Sequence, residues 1–216
     1  DGKLHIRPIY PICPDVSDDS QLQSQFRRGE ILFSSGRYRE AETAYIAVTQ
    51  PGPDSGFFEQ GLYKLGWSLF KQSRGEESVA AFLRMLDRVL VDYSQLRDRE
   101  SMSRAERELT DDAMRAIAIT YSDLDGAESL DAALDQRGDP PYAHLLYEAL
   151  GNHYIEKERY QDAALAFEVL SLYIEFLLRH AEAADAGATE NATSESVDPG
   201  FAQLKEVFLT EAEAKI

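Results

Sequence analysis

The sequence predicts an all-α protein made of repeated helix pairs, and three observations lead to this prediction. Apolar residues follow helical spacing from Ser17 onward. No segment alternates apolar and polar residues for long enough to indicate a sheet. The stretch "FSSGRYREAETAY" at 33–45 has a counterpart, "IEKERYQDAALAF", at 155–167, with matching aromatic positions. A recurring pattern of this kind is typical of a helical repeat protein.

Charge and composition narrow the choice of partners. The chain has 216 residues, of which 44% are hydrophobic and 28% charged, so it can bury an ordinary core. The formal net charge is −17, from 39 acidic and 22 basic residues. A field of this sign repels phosphate groups, so we expect no nucleic-acid partner. Such a field attracts basic proteins or peptides at low salt. The alternative is that the negative charge serves only to keep the protein soluble.

The cysteine count and the hydropathy of the sequence argue against disulfide-stabilised, zinc-binding and membrane-spanning proteins. Cys13 is the single cysteine, so an intrachain disulfide and a cysteine-rich zinc site are excluded. No apolar run approaches the roughly 18 residues of a membrane helix, so we expect no direct membrane span. The chain does not begin with Met, which leaves open an export signal before residue 1.

The N-terminal part divides into an arm and a helical region. Residues 1–16 are expected to form an extended arm because Pro8, Pro11 and Pro14 oppose a helix. Residues 17–181 form the predicted repeat domain. The helices expected there are 18–35, 38–50, 55–72, 75–93, 104–124, 127–137, 141–157 and 160–181.

The breaks between these helices carry recognisable end signals. Gly36 and "PGPDSG" at 51–56 separate the first three helices, because neither continues a helix at low cost. Ser103 followed by Glu106 predicts a capping box at the start of the fifth helix. Asp139, followed by two prolines, predicts a cap and a proline-containing first turn for the seventh.

The C-terminal part departs from this patterning. Residues 182–198 hold five acidic residues, no basic residue and no large apolar side chain except Val197, which predicts a flexible acidic linker. Residues 199–216 then form a predicted amphipathic helix. Its apolar side consists of Phe201, Leu204, Val207 and Phe208. That side could cover the chain's own array or a neighbour's, so the oligomeric state stays open.

The core positions of the repeated stretches coincide when the stretches are aligned. Three of the second helices have positions spaced 3, 4 and 3, which places them on one face. These positions are Tyr38, Ala41, Tyr45 and Val48, then Gly75, Ser78, Phe82 and Met85, then Tyr160, Ala163, Phe167 and Leu170. Each first helix has a small residue where two helices can approach closely. The small residues are Gly29, Gly66, Ala118 and Gly151.

These residues resemble the tetratricopeptide repeat, a helix-turn-helix unit of about 34 residues. The resemblance covers roughly residues 20–180 and implies a right-handed superhelical array of about four units plus a C-terminal helix. The small residues are 37, 52 and 33 positions apart, so an insertion or an extended helix is expected around 91–108. Unit three departs most from the family pattern, with the short second helix "GAESLDAALDQ". An irregular helical bundle is the alternative.

A narrower resemblance concerns the second unit. "GLYKLGWSLFKQSRGEESVAAF" at 61–82 is similar to repeats in cell-envelope tetratricopeptide proteins of Gram-negative bacteria. This similarity implies an exported assembly factor. It favours a periplasmic or cell-envelope location, with a cytoplasmic location as the alternative.

The repeat resemblance implies that the first helices line a concave groove. The candidate partner-binding residues are Phe26, Glu30, Phe33, Tyr63, Trp67, Phe70, Lys71, Arg115, Glu148 and Asn152. Aromatic side chains bury a large area with few rotatable bonds and therefore often dominate binding. Alternatively, Trp67 and Phe70 pack between neighbouring units. An acidic, aromatic groove suits a protein or peptide with apolar anchors and some positive charge.

Catalytic motifs are missing from the sequence. It contains no Gly-rich phosphate loop, no HExxH and no G-x-S-x-G. His144 and His153 are nine positions apart and do not share a helical face, so we expect no metal and no cofactor. The sequence is therefore interpreted as a non-catalytic protein-interaction scaffold. The alternative is a docking or regulatory domain of a larger enzyme or secretion complex.

Overall fold

The computed structural model describes residues 18–138 and 140–186, which form eight α-helices. The helices are α1 (Asp18–Ser34), α2 (Tyr38–Thr49), α3 (Phe58–Phe70), α4 (Gly75–Leu90), α5 (Arg104–Ser122), α6 (Ala127–Asp135), α7 (Ala143–Glu156) and α8 (Tyr160–Ala186). Each overlaps a predicted helix, so the all-α prediction is confirmed. The predicted arm at 1–16, the C-terminal helix at 199–216 and most of the predicted linker lie outside the described residues.

Neighbouring helices pack in chain order through the first half of the molecule. The helix α1 packs on α2, α2 on α3, and α3 on α4. The helix α5 packs against α4 and, more extensively, against α7. The helices α7 and α8 form another close pair, whereas α6 makes smaller contacts with α5, α7 and α8. The result is a repeat-like, all-helical architecture.

Three helix pairs share one packing arrangement, a glycine of the first helix under an aromatic ring of the second. A Cβ atom placed on the glycine would lie 2.6 to 2.7 Å from a ring atom, closer than carbon atoms pack. The pairs are Gly29 with Tyr45, Gly66 with Phe82, and Gly151 with Phe167. The ring follows the glycine by 16 positions each time. The prediction that small residues mark close helix approach is confirmed at these three glycines.

The turn inside these three pairs also recurs. A residue with left-handed φ lies two or three positions after the first helix ends, and its N–H donates to the carbonyl three residues earlier at 3.0 Å. The next residue is an arginine whose N–H donates to the carbonyl five residues earlier, which completes a Schellman motif. The left-handed residues are Gly36, Ser73 and Glu158, with φ of 75°, 59° and 60°. Only the glycine adopts this conformation without a steric cost.

Each of these arginines is held by an acidic residue three positions later. Its Nε donates to the carboxylate at 2.6 Å in all three turns. The pairs are Arg37 with Glu40, Arg74 with Glu77, and Arg159 with Asp162. The spacing R-x-x-[E/D] is thus a second repeat signal, beside the glycines and the aromatic rings.

The α5/α6 pair departs from this arrangement, as expected for the third unit. Ala118 takes the glycine position and Leu134, 16 residues later, takes the ring position. Both side chains are buried. The left-handed residue is Gly126, eight positions after Ala118 rather than seven. The start of α5 confirms the predicted capping box, since Ser103 Oγ accepts from the Glu106 N–H at 3.2 Å.

The expected insertion is a short hairpin rather than an extended helix. Helix α4 ends at Leu90, and β1 (Val91–Asp92) pairs with β2 (Gln95–Leu96) in antiparallel register. A 3-10 turn at Arg99–Ser101 follows before α5. The fourth helix therefore ends three residues before the predicted residue 93. Two-residue strands are too short to show alternation.

The start of α7 also differs from the prediction. Helix α7 begins at Ala143, two residues later than expected, so the prolines precede it. The Ala143 N–H donates to the Pro140 carbonyl at 2.8 Å in the turn that leads in. Asp139, the predicted cap, lies outside the described residues.

Candidate functional site

A series of side-chain contacts joins α1, α3, α5 and α7, the first helices of the pairs. Lys64 Nζ on α3 lies 3.7 Å from Glu30 Oε1 on α1. Two aromatic side chains of α3 donate hydrogen bonds to a carboxylate of α5. A guanidinium of α5 pairs with a carboxylate of α7. We call this the first-helix surface, and its linking residues are Glu30, Tyr63, Lys64, Trp67, Asp112, Arg115 and Glu156.

The middle of this surface is an aromatic–carboxylate cluster. Tyr63 donates its hydroxyl to Asp112 Oδ2 at 2.5 Å, and Trp67 donates Nε1–H to the same oxygen at 3.1 Å. All three side chains are half-buried. Burial, and then the hydrogen bond to Asp112, raise the pKa of Tyr63 to about 12. These contacts connect the second and third helix pairs and hold the carboxylate in place.

Asp112 is not among the residues predicted from the sequence, although a signal for it was present. It lies six residues before Ala118, as Gln60 lies six residues before Gly66. Gln60 and the candidate Tyr63 are three positions apart and therefore share a face of α3. Applying the same register to α5 would have added Asp112 to the candidates. Its partners could not be predicted, because they lie 45 and 49 residues away.

The aromatic candidates of α1, Phe26 and Phe33, pack against a small group of buried residues that includes Leu32, Tyr45 and Leu69. Phe26 lies 5.8 Å from the ring of Tyr45 and 5.7 Å from that of Phe57. Phe33 lies edge-on to Tyr38 at 5.2 Å, with Lys64 Nζ 6.0 Å from its ring centroid. Both phenylalanines are half-buried. They therefore serve packing while keeping part of each ring at the surface.

The aromatic candidates of α3 are likewise partly packed in the interior and partly exposed at the surface. Trp67 packs edge-on against the fully buried Phe82 at 5.8 Å and against Phe70 at 5.3 Å. Phe70 also lines a cleft of about 590 Å³ between the start of α4 and the end of α5, with Thr120 and Leu124 opposite. Because Trp67, Phe70 and Phe82 belong to one helix pair, these ring contacts lie within the second unit, whereas the cleft brings Phe70 beside α5 of the next unit. The remaining part of each side chain stays accessible to a partner.

The charged and polar candidates are exposed. Lys71 follows α3, and Glu148 and Asn152 lie on α7. Arg115 on α5 approaches Glu156 on α7 at 3.4 Å, and both side chains are more than half exposed. Contacts of this kind contribute little stability in water, so these side chains can exchange them for contacts with a partner.

The two histidines on α7 are partly buried. His144 stacks on Tyr173 with ring centroids 6.1 Å apart, and burial lowers its pKa. Burial also lowers the pKa of His153. Among the described side chains, no cluster of three or more His, Cys, Asp or Glu residues could hold a metal ion.

Two further findings bear on what the chain is. None of the helices within 18–138 and 140–186 is long and apolar enough to cross a membrane. In comparisons with known proteins, no family model, no curated protein and no solved structure matches the chain. The chain is thus described by its architecture, an all-α protein of repeat-like helix pairs.

Proposed function

We propose that the chain is a non-catalytic scaffold that binds a peptide or helix of a partner protein on the first-helix surface. The observation that carries this proposal is the series of contacts from α1 through α3 and α5 to α7. These contacts bring candidate residues from separate repeats side by side. A continuous surface of half-buried aromatic rings with exposed charges beside them suits protein recognition.

The proposed arrangement of the pairs is a right-handed superhelical array of the tetratricopeptide type, with the first-helix surface on its concave side. The recurring glycine–ring contact and the recurring turn support this arrangement, because identical pair geometry produces a regular rotation between units. The third pair is the exception.

The proposed partner is a protein segment with apolar anchors and positive charge. The net charge of −17 favours such a segment and opposes nucleic acid. The similarity of 61–82 to envelope repeats extends the proposal to bacterial envelope assembly. The alternative, a docking or regulatory domain of a larger enzyme or secretion complex, uses the same surface for subunit contacts.

Peptide selection tests this function and does not require the partner to be identified. Random 12-residue peptides displayed on phage are selected on the purified protein, and the affinity of enriched peptides is measured by fluorescence anisotropy. We expect basic, aromatic or aliphatic peptides whose affinity falls in Glu148→Lys. Glu168→Lys is the matched control, since it makes the same charge change on an exposed position of α8. Equal loss in both variants, or no enriched peptide, would contradict the proposal.

A further inference from the structure

The acidic residues of the first-helix surface differ in whether a cation accompanies them. Glu30 has Lys64 beside it, and Glu156 has Arg115. Asp112 lies between them along the series, and within the described part of the chain its hydrogen-bond partners are neutral. Asp112 is therefore the one carboxylate of this series of contacts that has no cation within salt-bridge distance among the described residues.

The geometry of Asp112 leaves one oxygen for a ligand. Both aromatic donors converge on Oδ2, and no described group donates to Oδ1. The side chain is half-buried, so water screens its charge less than it screens an exposed carboxylate. A cation arriving at Oδ1 would therefore gain more than one that meets a freely rotating surface acid.

The surroundings of the carboxylate favour a planar cation. Trp67 lies edge-on to Tyr63 at 6.5 Å and both side chains donate to Asp112, so two aromatic rings border the carboxylate. A guanidinium can donate to a carboxylate while its plane lies on an aromatic ring. An ammonium is more strongly hydrated and makes a single point contact.

We propose that Asp112 binds an arginine side chain of the partner peptide, with Tyr63 and Trp67 as positioning residues that hold the carboxylate. This inference rests on the proposed function and adds the charge specificity of the same surface. It assigns to Asp112 the part of the recognition that decides between basic and neutral ligands.

The test is a double-mutant cycle between protein and peptide. The probe is the tightest-binding arginine-containing peptide from the selection, compared with a version in which citrulline replaces the arginine. Citrulline keeps the shape and removes the charge. Both peptides are measured on wild type and on Asp112→Asn, whose amide oxygen still accepts from Tyr63 and Trp67. Asp111→Asn is the matched control, because Arg99 already engages that neighbouring carboxylate at 2.8 and 2.6 Å.

We expect citrulline to weaken binding about tenfold on wild type and on Asp111→Asn, and less than about twofold on Asp112→Asn. The loss on wild type should shrink at higher salt. If Glu148→Lys weakens binding but citrulline costs the same on all three proteins, the arginine contact is elsewhere and only this inference fails. If no peptide is selected at all, the proposed function and this inference fail together.

Discussion

The pairs α3/α4 and α5/α6 differ in the two residues that meet where their helices cross, and they also differ in how closely the helices pack. In α3/α4, Gly66 admits the ring of Phe82, and the two helices lie close along their length. In α5/α6, Ala118 and Leu134 occupy these positions, and α5 packs more on α7 than on its own second helix. The exchange of a glycine–ring contact for an alanine–leucine contact thus accompanies the change in which helices pair.

The length of the second helix adds to this difference. Helix α4 has 16 residues and α6 has nine. A cleft of about 550 Å³ remains between α4 and α6, and the α6 residues that line it are Ser129, Ala132 and Ala133. Small side chains on a short helix cannot fill the space that a longer, ring-bearing helix would occupy. Regular pairing of consecutive helices thus accompanies the glycine–ring contact, whereas the helical pattern alone does not ensure it.

The largest expected effect comes from removing the ring itself. Phe82→Ala should lower the free energy of unfolding by about 3–5 kcal/mol, because Phe82 is fully buried and leaves a cavity. Phe167→Ala, at the equivalent but half-buried position of α7/α8, should cost less. Urea denaturation followed by circular dichroism measures both. Equal losses would show that ring burial does not set the strength of the contact.

The second prediction concerns substitutions that give the α3/α4 pair the packing residues of the α5/α6 pair. Gly66→Ala alone should cost about 1–3 kcal/mol, because its Cβ would lie 2.7 Å from the Phe82 ring. In a Phe82→Leu background the same substitution should cost much less, since the pair then matches Ala118 and Leu134. The measurement is the coupling free energy from four urea curves. Strict additivity would mean that the two positions do not determine each other.

The third prediction concerns the hydrogen bonds from Tyr63 and Trp67 to Asp112, which link the α3/α4 pair to the α5/α6 pair. Asp112→Ala should cost about 1 kcal/mol, because the half-buried Tyr63 hydroxyl and Trp67 Nε1–H lose their common acceptor. Asp112→Asn should cost little, since its amide oxygen accepts both bonds. Thermal unfolding at one pH compares the two variants. If Asn destabilises as much as Ala, the negative charge rather than the acceptor stabilises the link.

The smallest effects are expected in the turns of the regular pairs. Ser73→Gly and Glu158→Gly should raise stability by about 0.5 kcal/mol each, because relief of the left-handed conformation outweighs the unfolded-state entropy that glycine adds. Gly36→Ala should have the opposite sign. Differential scanning calorimetry on the three variants tests this. A destabilised Ser73→Gly would indicate that the side chain contributes a contact of its own.

Much of the fold could be predicted because its signals are local. All eight helices have counterparts among the predicted ones, and the capping box of α5 is where Ser103 and Glu106 indicated. The glycines of close approach were predicted by spacing, since a helix repeats its faces every 3.6 residues. The hairpin after Leu90 and the late start of α7 could not be predicted, because two-residue strands and a proline turn have no period.

The candidate site also combines features that the sequence predicts with contacts that it does not. Register along a helix is a local property, so the sequence alone predicted Glu30, Tyr63, Trp67 and Arg115 as residues of one face of the first helices. It did not identify Lys64, Asp112 or Glu156. The packing of the helix pairs brings Tyr63 and Trp67 to Asp112. It also leaves this carboxylate with neutral hydrogen-bond partners, whereas Glu30 and Glu156 each have a cation nearby. Those contacts join residues far apart in the chain, and their geometry follows from how the pairs pack against one another.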